Sequence, residues 1–262
     1  MNIIVTVKQV ADPNIPPAHI QLDPDGKRII SPFGVPPVMN GYDANALEEA
    51  IRLKEAHGGK ITVVGLGDDS SRESLKMSVA MGADTAILIN DPELVNGDSA
   101  TIGRALAAAI KKIGMPDLVL CGRQASDTDG GQVLHWIAEA LDLPTVVPVT
   151  KIEAVAGNEL TVHRLIEDGY QRLKVQLPAL LGVSSEINEA RHPSVRGTMA
   201  AGRAMIAGWK ASDIGLAPQT PKVELRELQI QLRTTKAELI EGASGAEQGA
   251  KLADKLHELG LI

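Results

Sequence analysis

Cysteine occurs once, at Cys121, so this chain has neither a disulfide framework nor a cysteine metal cluster. Aromatic residues are almost as scarce, with one Phe, two Trp and two Tyr in 262 residues. Five rings leave little material for stacking bases or for walling in a large planar ligand, so a second chain is expected to supply part of any such wall. A basic excess is also missing. The formal charge is −7, which argues against a dedicated nucleic-acid binder. No stretch approaches the roughly 20 apolar residues that a membrane helix needs, so no membrane insertion is expected. The opening MNIIVTVKQV carries no basic leader and enters an apolar run at once. It reads as a first strand, and the expected location is the cytoplasm.

At 44% hydrophobic, the chain has enough apolar material for a full core in one domain, with an appendage. Short β-branched runs alternate with helical patterns. Ile3–Val7, Ile61–Leu66, Thr85–Ile89, Asp117–Cys121 and Thr145–Val149 read as strands buried on both faces, as in a parallel sheet. Between them, Asn45 with Glu48 resembles a helix start, and His57-Gly58-Gly59 a helix stop. Ser70 with Glu73 suggests a second capping box, ending at Gly82. Further helices are expected over Ser99–Ile113 and from about Gly130 to Leu141. This strand–helix order implies right-handed crossovers and a doubly wound, mostly parallel α/β sheet. Gly157-Asn158 then marks a hairpin between Lys151–Ala156 and Glu159–Glu167. Tyr170–Gln176 and Ala179–Val183 extend it, and all four runs read as added antiparallel strands. Residues 1–203 are therefore assigned to the α/β domain. Residues 204–262, with Pro218, Pro221 and a last helix bearing Leu252, Leu256 and Leu259, read as an extended arm that packs on another chain, or else as a disordered tail.

Open α/β sheets bind ligands beyond the carboxyl ends of their strands. Three segments fall there: Val7-Lys8-Gln9-Val10 with Asp12, the GLGDDS run at residues 65–70, and the loop from Gly122 to Gln132. The last is polar, glycine-rich and leads straight into a helix. Backbone N–H groups near Gly130, Gly131 and Gln132 suit an anion, and glycine lets a phosphate come close. Asp127 or Asp129 suits a ribose hydroxyl. The plainer reading is a capped helix start with solvated aspartates. GLGDDS completes neither G-x-G-x-x-G nor a Walker loop, because Ser70 stands at the last position. Catalytic constellations are missing: His57, His192 and His257 have no partner motif, and Ser184-Ser185 lacks a nucleophile elbow. Arg191, Arg196 and Arg203 form either a positive face for a partner or a solvated one.

VTVKQV with Asp12, MNGYDANALEEAIRLKE (39–55), MGAD (81–84), GRQASDTDGGQV (122–133) and LPALLGVSSEINEARHPSVRGTMAA (177–201) stand in one order and spacing. Together they resemble electron transfer flavoprotein beta subunits over most of residues 1–203. The resemblance implies a Rossmann-like, adenine-nucleotide-binding fold. It also implies a heterodimer with an alpha subunit that carries FAD. The family takes electrons from flavin-containing dehydrogenases, such as acyl-CoA dehydrogenases, and passes them to quinone-linked or ferredoxin/flavodoxin acceptors. The beta chain holds AMP, or a second FAD in electron-bifurcating members that oxidise NADH. Carried over by residue, the nucleotide contacts are Thr6, Asn40, Gly41, Tyr42, Asp43 and Leu66, with Gly122, Arg123, Gln124, Ala125, Ser126, Asp127, Thr128, Asp129, Gly130, Gly131, Gln132 and Val133. The partner-recognition loop is Glu189–Arg203, with Val195 as anchor beside Arg191 and Arg196. Ala190 stands where the family often has proline, and Leu165 where simple carriers have glutamate. Gly130-Gly131 and Leu134-His135 replace the Thr-Ala and Gly-Pro of bifurcating members. AMP and FAD both stay open. A different class, a stand-alone nucleotide-binding protein, is disfavoured because no S-G-G-x-D-S loop follows the first strand.

Overall fold

The computed structural model describes residues 1–217, 220–230 and 237–262; Pro218 lies outside them. The first half alternates β1 (Asn2–Val7), α1 (Gly41–His57), β2 (Lys60–Leu66), α2 (Arg72–Met81), β3 (Thr85–Ile89), α3 (Ser99–Ile113), β4 (Leu118–Gly122) and α4 (Val133–Leu141). The second half runs through β5 (Thr145–Ala156), β6 (Glu159–Ile166), β7 (Gly169–Gln176), β8 (Ala179–Val183), α5 (Val195–Ala201), β9 (Ala207–Trp209) and α6 (Gly245–Glu258). Among the described residues, nine strands form one sheet in the order β7-β6-β5-β8-β4-β1-β2-β3-β9.

The near-continuous apolar strands are explained by what covers each face. In β1, Ile3, Val5 and Val7 join one core while Ile4 joins the other. In β4, Leu118 and Leu120 point one way, Val119 and Cys121 the other. Leu47, Ala50 and Ile51 of α1 with Leu75 of α2 cover the first face; Leu106 and Ile110 of α3 with Leu134 and Ile137 of α4 cover the second. Two-sided burial leaves no polar alternation to see. The expected mixed α/β sheet, largely parallel with added antiparallel strands, is what the chain forms.

Several local expectations change. The first helix begins at Gly41, one turn before Asn45, with the Asn40 carbonyl accepting from the amides of Asp43 and Ala44. Ser70 does not cap α2. It sits in a 3-10 turn where Asp68 accepts from its amide and hydroxyl. The helix expected from about Gly130 starts at Val133. Thr145–Val149 and Lys151–Ala156 are one twelve-residue strand, β5, carrying the register shifts of a bulge against β6. Ala179–Val183 is not antiparallel. It lies parallel between β4 and β5, with Leu181 opposite Leu120 on one side and Val146 on the other.

By contacts the described chain divides into two units, Met1–Leu228 and Gln229–Ile262. Residues 204–217 and 220–228 count with the first, where Ala207–Trp209 pairs in parallel with β3. In the second unit, Ser244 caps α6 by accepting from the Glu247 amide, and the Glu247 side chain accepts from the Ala243 amide. Leu252 and Leu259 of that unit are exposed. Among the described residues no helix is long and apolar enough to cross a membrane.

Candidate functional site at the carboxyl edge of the sheet

The parallel strands β1, β2 and β4 end on one edge, and the first turn of α1 closes against it. Asp43 is buried there. Its two carboxylate oxygens accept from the backbone amides of Lys8 at 2.8 Å and Gly122 at 3.1 Å. Gly122 is required by space rather than by φ: a Cβ would sit 2.4 Å from Asp43 Oδ1 and 2.7 Å from Tyr42 Cβ. Asn40 is 1% exposed and grips the loop that comes after β4. Its Nδ2 donates to the Gln124 carbonyl at 2.8 Å, and its Oδ1 accepts from the Ser126 amide at 3.2 Å.

Inside the loop, the Ala125 carbonyl accepts from the amides of Thr128 and Asp129. Asp129 takes a left-handed φ of 46° and accepts from Gln124 Nε2 at 2.8 Å. Asp127 receives Lys8 Nζ on both oxygens at 2.7 Å. The Arg123 guanidinium lies over the Tyr42 ring, 5.4 Å from its centroid. Among the described residues, the amides of Gly130, Gly131 and Gln132 find no acceptor in the chain. The Ser126 hydroxyl is buried without a partner. Gly131, at φ 58°, and Gly130, with open space where a Cβ would stand, leave the backbone accessible. Unpaired amides, an orphaned hydroxyl and bare glycines fit a phosphate-bearing ligand.

Burial pushes the Asp43 carboxyl up to about 7, opposed by the amides of Lys8 and Gly122 and by Asn40. Burial pushes the Cys121 thiol, at the end of β4, up to about 12, so it is no nucleophile at neutral pH. His57, His192 and His257 are exposed.

A family model for the electron transfer flavoprotein domain matches residues 29–214. The chain belongs to the electron transfer flavoprotein family. It is 44% identical over 197 residues to "Electron transfer flavoprotein subunit beta" of Thermoanaerobacterium thermosaccharolyticum, covering 75% of this chain and 73% of the relative. It is 37% identical to "Caffeyl-CoA reductase-Etf complex subunit CarD" of Acetobacterium woodii, over the full length of both. It is 34% identical to "Protein FixA" of Azorhizobium caulinodans, over 97% of this chain and 93% of the relative. These matches set it in the beta-subunit and FixA branch, whose business is electron transfer.

Within this electron transfer flavoprotein chain, the residues singled out from sequence fall in two places. Thr6 is the last residue but one of β1, opposite Val64, and Leu66 closes β2. Both share the carboxyl edge with Asn40–Asp43 and Gly122–Val133. Contacts join Asn40, Tyr42 and Asp43 to the loop. Arg191, Val195 and Arg196 lie elsewhere, on the segment that runs along α1 and reaches α2. Lys8 was legible only as part of a candidate segment. Its pairing with Asp127 spans 119 residues, which local patterning does not reveal. The one available signal was a single cation leaving β1 toward an acid-rich loop.

Proposed function

We propose that this chain is the beta-type member of an electron transfer flavoprotein heterodimer and holds an adenine nucleotide at the carboxyl edge. The observation that carries this reading is the clamp of Asn40 and Asp43 on the 122–133 loop, with Ser126 and the amides of Gly130–Gln132 left open beside it. In this reading the amides face phosphate, Asp129 takes a ribose hydroxyl, and Thr6, Tyr42 and Leu66 line the base. Lys8 holds Asp127 away from the phosphate, which like charges would otherwise repel. FAD, held with the alpha subunit, supplies the redox chemistry; this chain's part is placement.

Val195 and Arg196 form the surface that docks a flavin-containing dehydrogenase. The C-terminal arm, set at 204–262 on sequence grounds, packs on the alpha subunit, and exposed Leu252 and Leu259 support that role. The complex works in the cytoplasm and hands electrons to a quinone-linked or ferredoxin/flavodoxin acceptor. A bifurcating complex is the second reading. The full-length match to the caffeyl-CoA reductase-Etf subunit favours it.

Counting nucleotides tests both. The chain is co-produced with its alpha subunit, denatured, and assayed for FAD and AMP. One FAD with one AMP supports the simple carrier, and two FAD support bifurcation. A preparation without an adenine nucleotide, made with cofactor in excess, refutes the site.

A further inference from the structure

Sequence position sets Arg191 beside Val195 and Arg196 as a partner contact, but its guanidinium faces its own chain. Nε and Nη2 donate to the two oxygens of Glu48 at 2.7 and 3.2 Å. Nη1 and Nη2 donate to those of Glu55 at 2.6 and 3.1 Å. Four bonds engage a group that has five donors. The Arg191 amide adds a fifth bond, its third to Glu48, at 3.2 Å. Glu48 has a side chain only 3% exposed and also accepts from Arg52 Nε at 2.7 Å. Three residues earlier, Asn188 exchanges bonds with Asn45 and donates to Glu49 at 3.0 Å. The stretch 188–191 is thus fastened along α1 from Asn45 to Glu55.

Residues 194–197 make local contacts of their own. Ser194 caps α5 by accepting from the Gly197 amide at 3.0 Å. Gly197 lies so close to α2 that a Cβ would meet the Ala80 carbonyl oxygen at 2.1 Å. On this base Val195 and Met199 stand 82% and 60% exposed. Arg196 is exposed and makes no ion pair among the described residues.

We propose that Arg191 is a positioning residue, a clamp on Glu48 and Glu55 that fixes the base of the 192–203 segment and touches no partner. Val195, Arg196 and Met199 are then presented as a preorganised surface, with less ordering to be lost on binding. The proposal rests on the docking role assigned above to Val195, and the test separates the two.

Hydrogen exchange is followed on the full chain without any dehydrogenase, and electron transfer from a dehydrogenase is followed on the heterodimer. Arg191→Ala is expected to raise exchange at Gly197 and Thr198 at least about tenfold, because the charge-assisted bonds to buried Glu48 are lost, and the milder Glu55→Gln, which gives up a pair with an exposed carboxylate, is expected to raise it by a smaller factor. Arg191→Lys keeps one charge pair and should fall between. Val195→Ala should leave exchange alone and slow transfer. If Arg191→Ala slows transfer while exchange stays at the wild-type rate, Arg191 is a contact and the clamp is refuted. Unchanged exchange in Glu55→Gln refutes it as well, even where the alanine variant does not fold. Faster exchange in Arg191→Ala with full transfer in both Arg191→Ala and Val195→Ala upholds the clamp and removes the docking surface.

Discussion

Replacing Gly122 by alanine probes the joint between the sheet and the first turn of α1. The added Cβ would stand 2.4 Å from Asp43 Oδ1, 2.7 Å from Tyr42 Cβ and 2.9 Å from the Asp43 amide nitrogen. Carbon atoms rest at about 3.5–4.0 Å, so the turn must recede by roughly 1 Å. Overpacking of this kind costs about 1–3 kcal/mol. The recession also strains or breaks the Gly122 amide bond to a carboxylate, worth about 1.5–3 kcal/mol. Together these come to about 2.5–6 kcal/mol, a fall in Tm of roughly 5–24 °C for a domain of this size. Urea denaturation of Gly122→Ala against wild type reads the effect, and bound nucleotide is counted on the same samples. Gly130→Ala is the control for stability, since nothing lies within 4 Å of its Cβ position. A Gly122→Ala chain within about 0.5 kcal/mol of wild type, the range of an ordinary surface change, would refute the close-approach argument.

Asp129→Ala is expected to weaken nucleotide retention roughly tenfold, the scale of one lost polar contact, and full occupancy after gel filtration would show that the loop has been misassigned. Asp43 gives a pH signature. Its folded carboxyl is raised to about 7 from 3.8, so its favourable contribution is complete below about 3.8 and is lost as pH rises through about 7. Urea midpoints of wild type should fall across that window, and those of Asp43→Asn should fall less; parallel curves would refute the assignment. Asp98 behaves in the opposite sense. The amides of Thr101, Lys222 and Val223 hold its carboxyl at about 2, so its stabilisation is present above about 4 and is lost as pH falls toward 2. Asp98→Ala should cost about 1 kcal/mol at neutral pH, with the gap to wild type closing on acidification, as followed by denaturation at each pH.

Strands buried on both faces were legible because Ile, Val and Leu run with little polar interruption, although Thr145–Pro148 turns out half-buried, with Val149 alone of that run buried; Gly157-Asn158 announced its hairpin correctly. Strand direction was not. Ala179–Val183 carries the same apolar pattern whether it runs with or against its neighbours, and only its place between β4 and β5 decides. The start of α1 was misread because Gly41 is a weak helix former while Asn45 looks like a cap; Asn45 instead spends its amide on Asn188, 143 residues away. Ala207–Trp209 is too short and too poor in β-formers to show itself. At the site, Gly130-Gly131 and the acid-rich loop stood out locally. The hold of Asn40 on Gln124 and Ser126 did not, since it joins positions 84 and 86 residues apart.

The placement of β8 also governs the order in which the molecule can be assembled during synthesis. Among the described residues, strands β5, β6 and β7 reach the rest of the sheet only through Ala179–Val183. A nascent chain that ends before Ala179 therefore carries two separate pieces, a half-sheet whose β4 presents a bare apolar edge and a meander with nothing to join. Those unpaired edges are hazards for sticking to other chains until residue 183 emerges and closes the gap. The ribosome thus delivers the keystone after the arch, and termination once Gln176 is made but before Ala179 would release an adhesive fragment rather than a smaller domain.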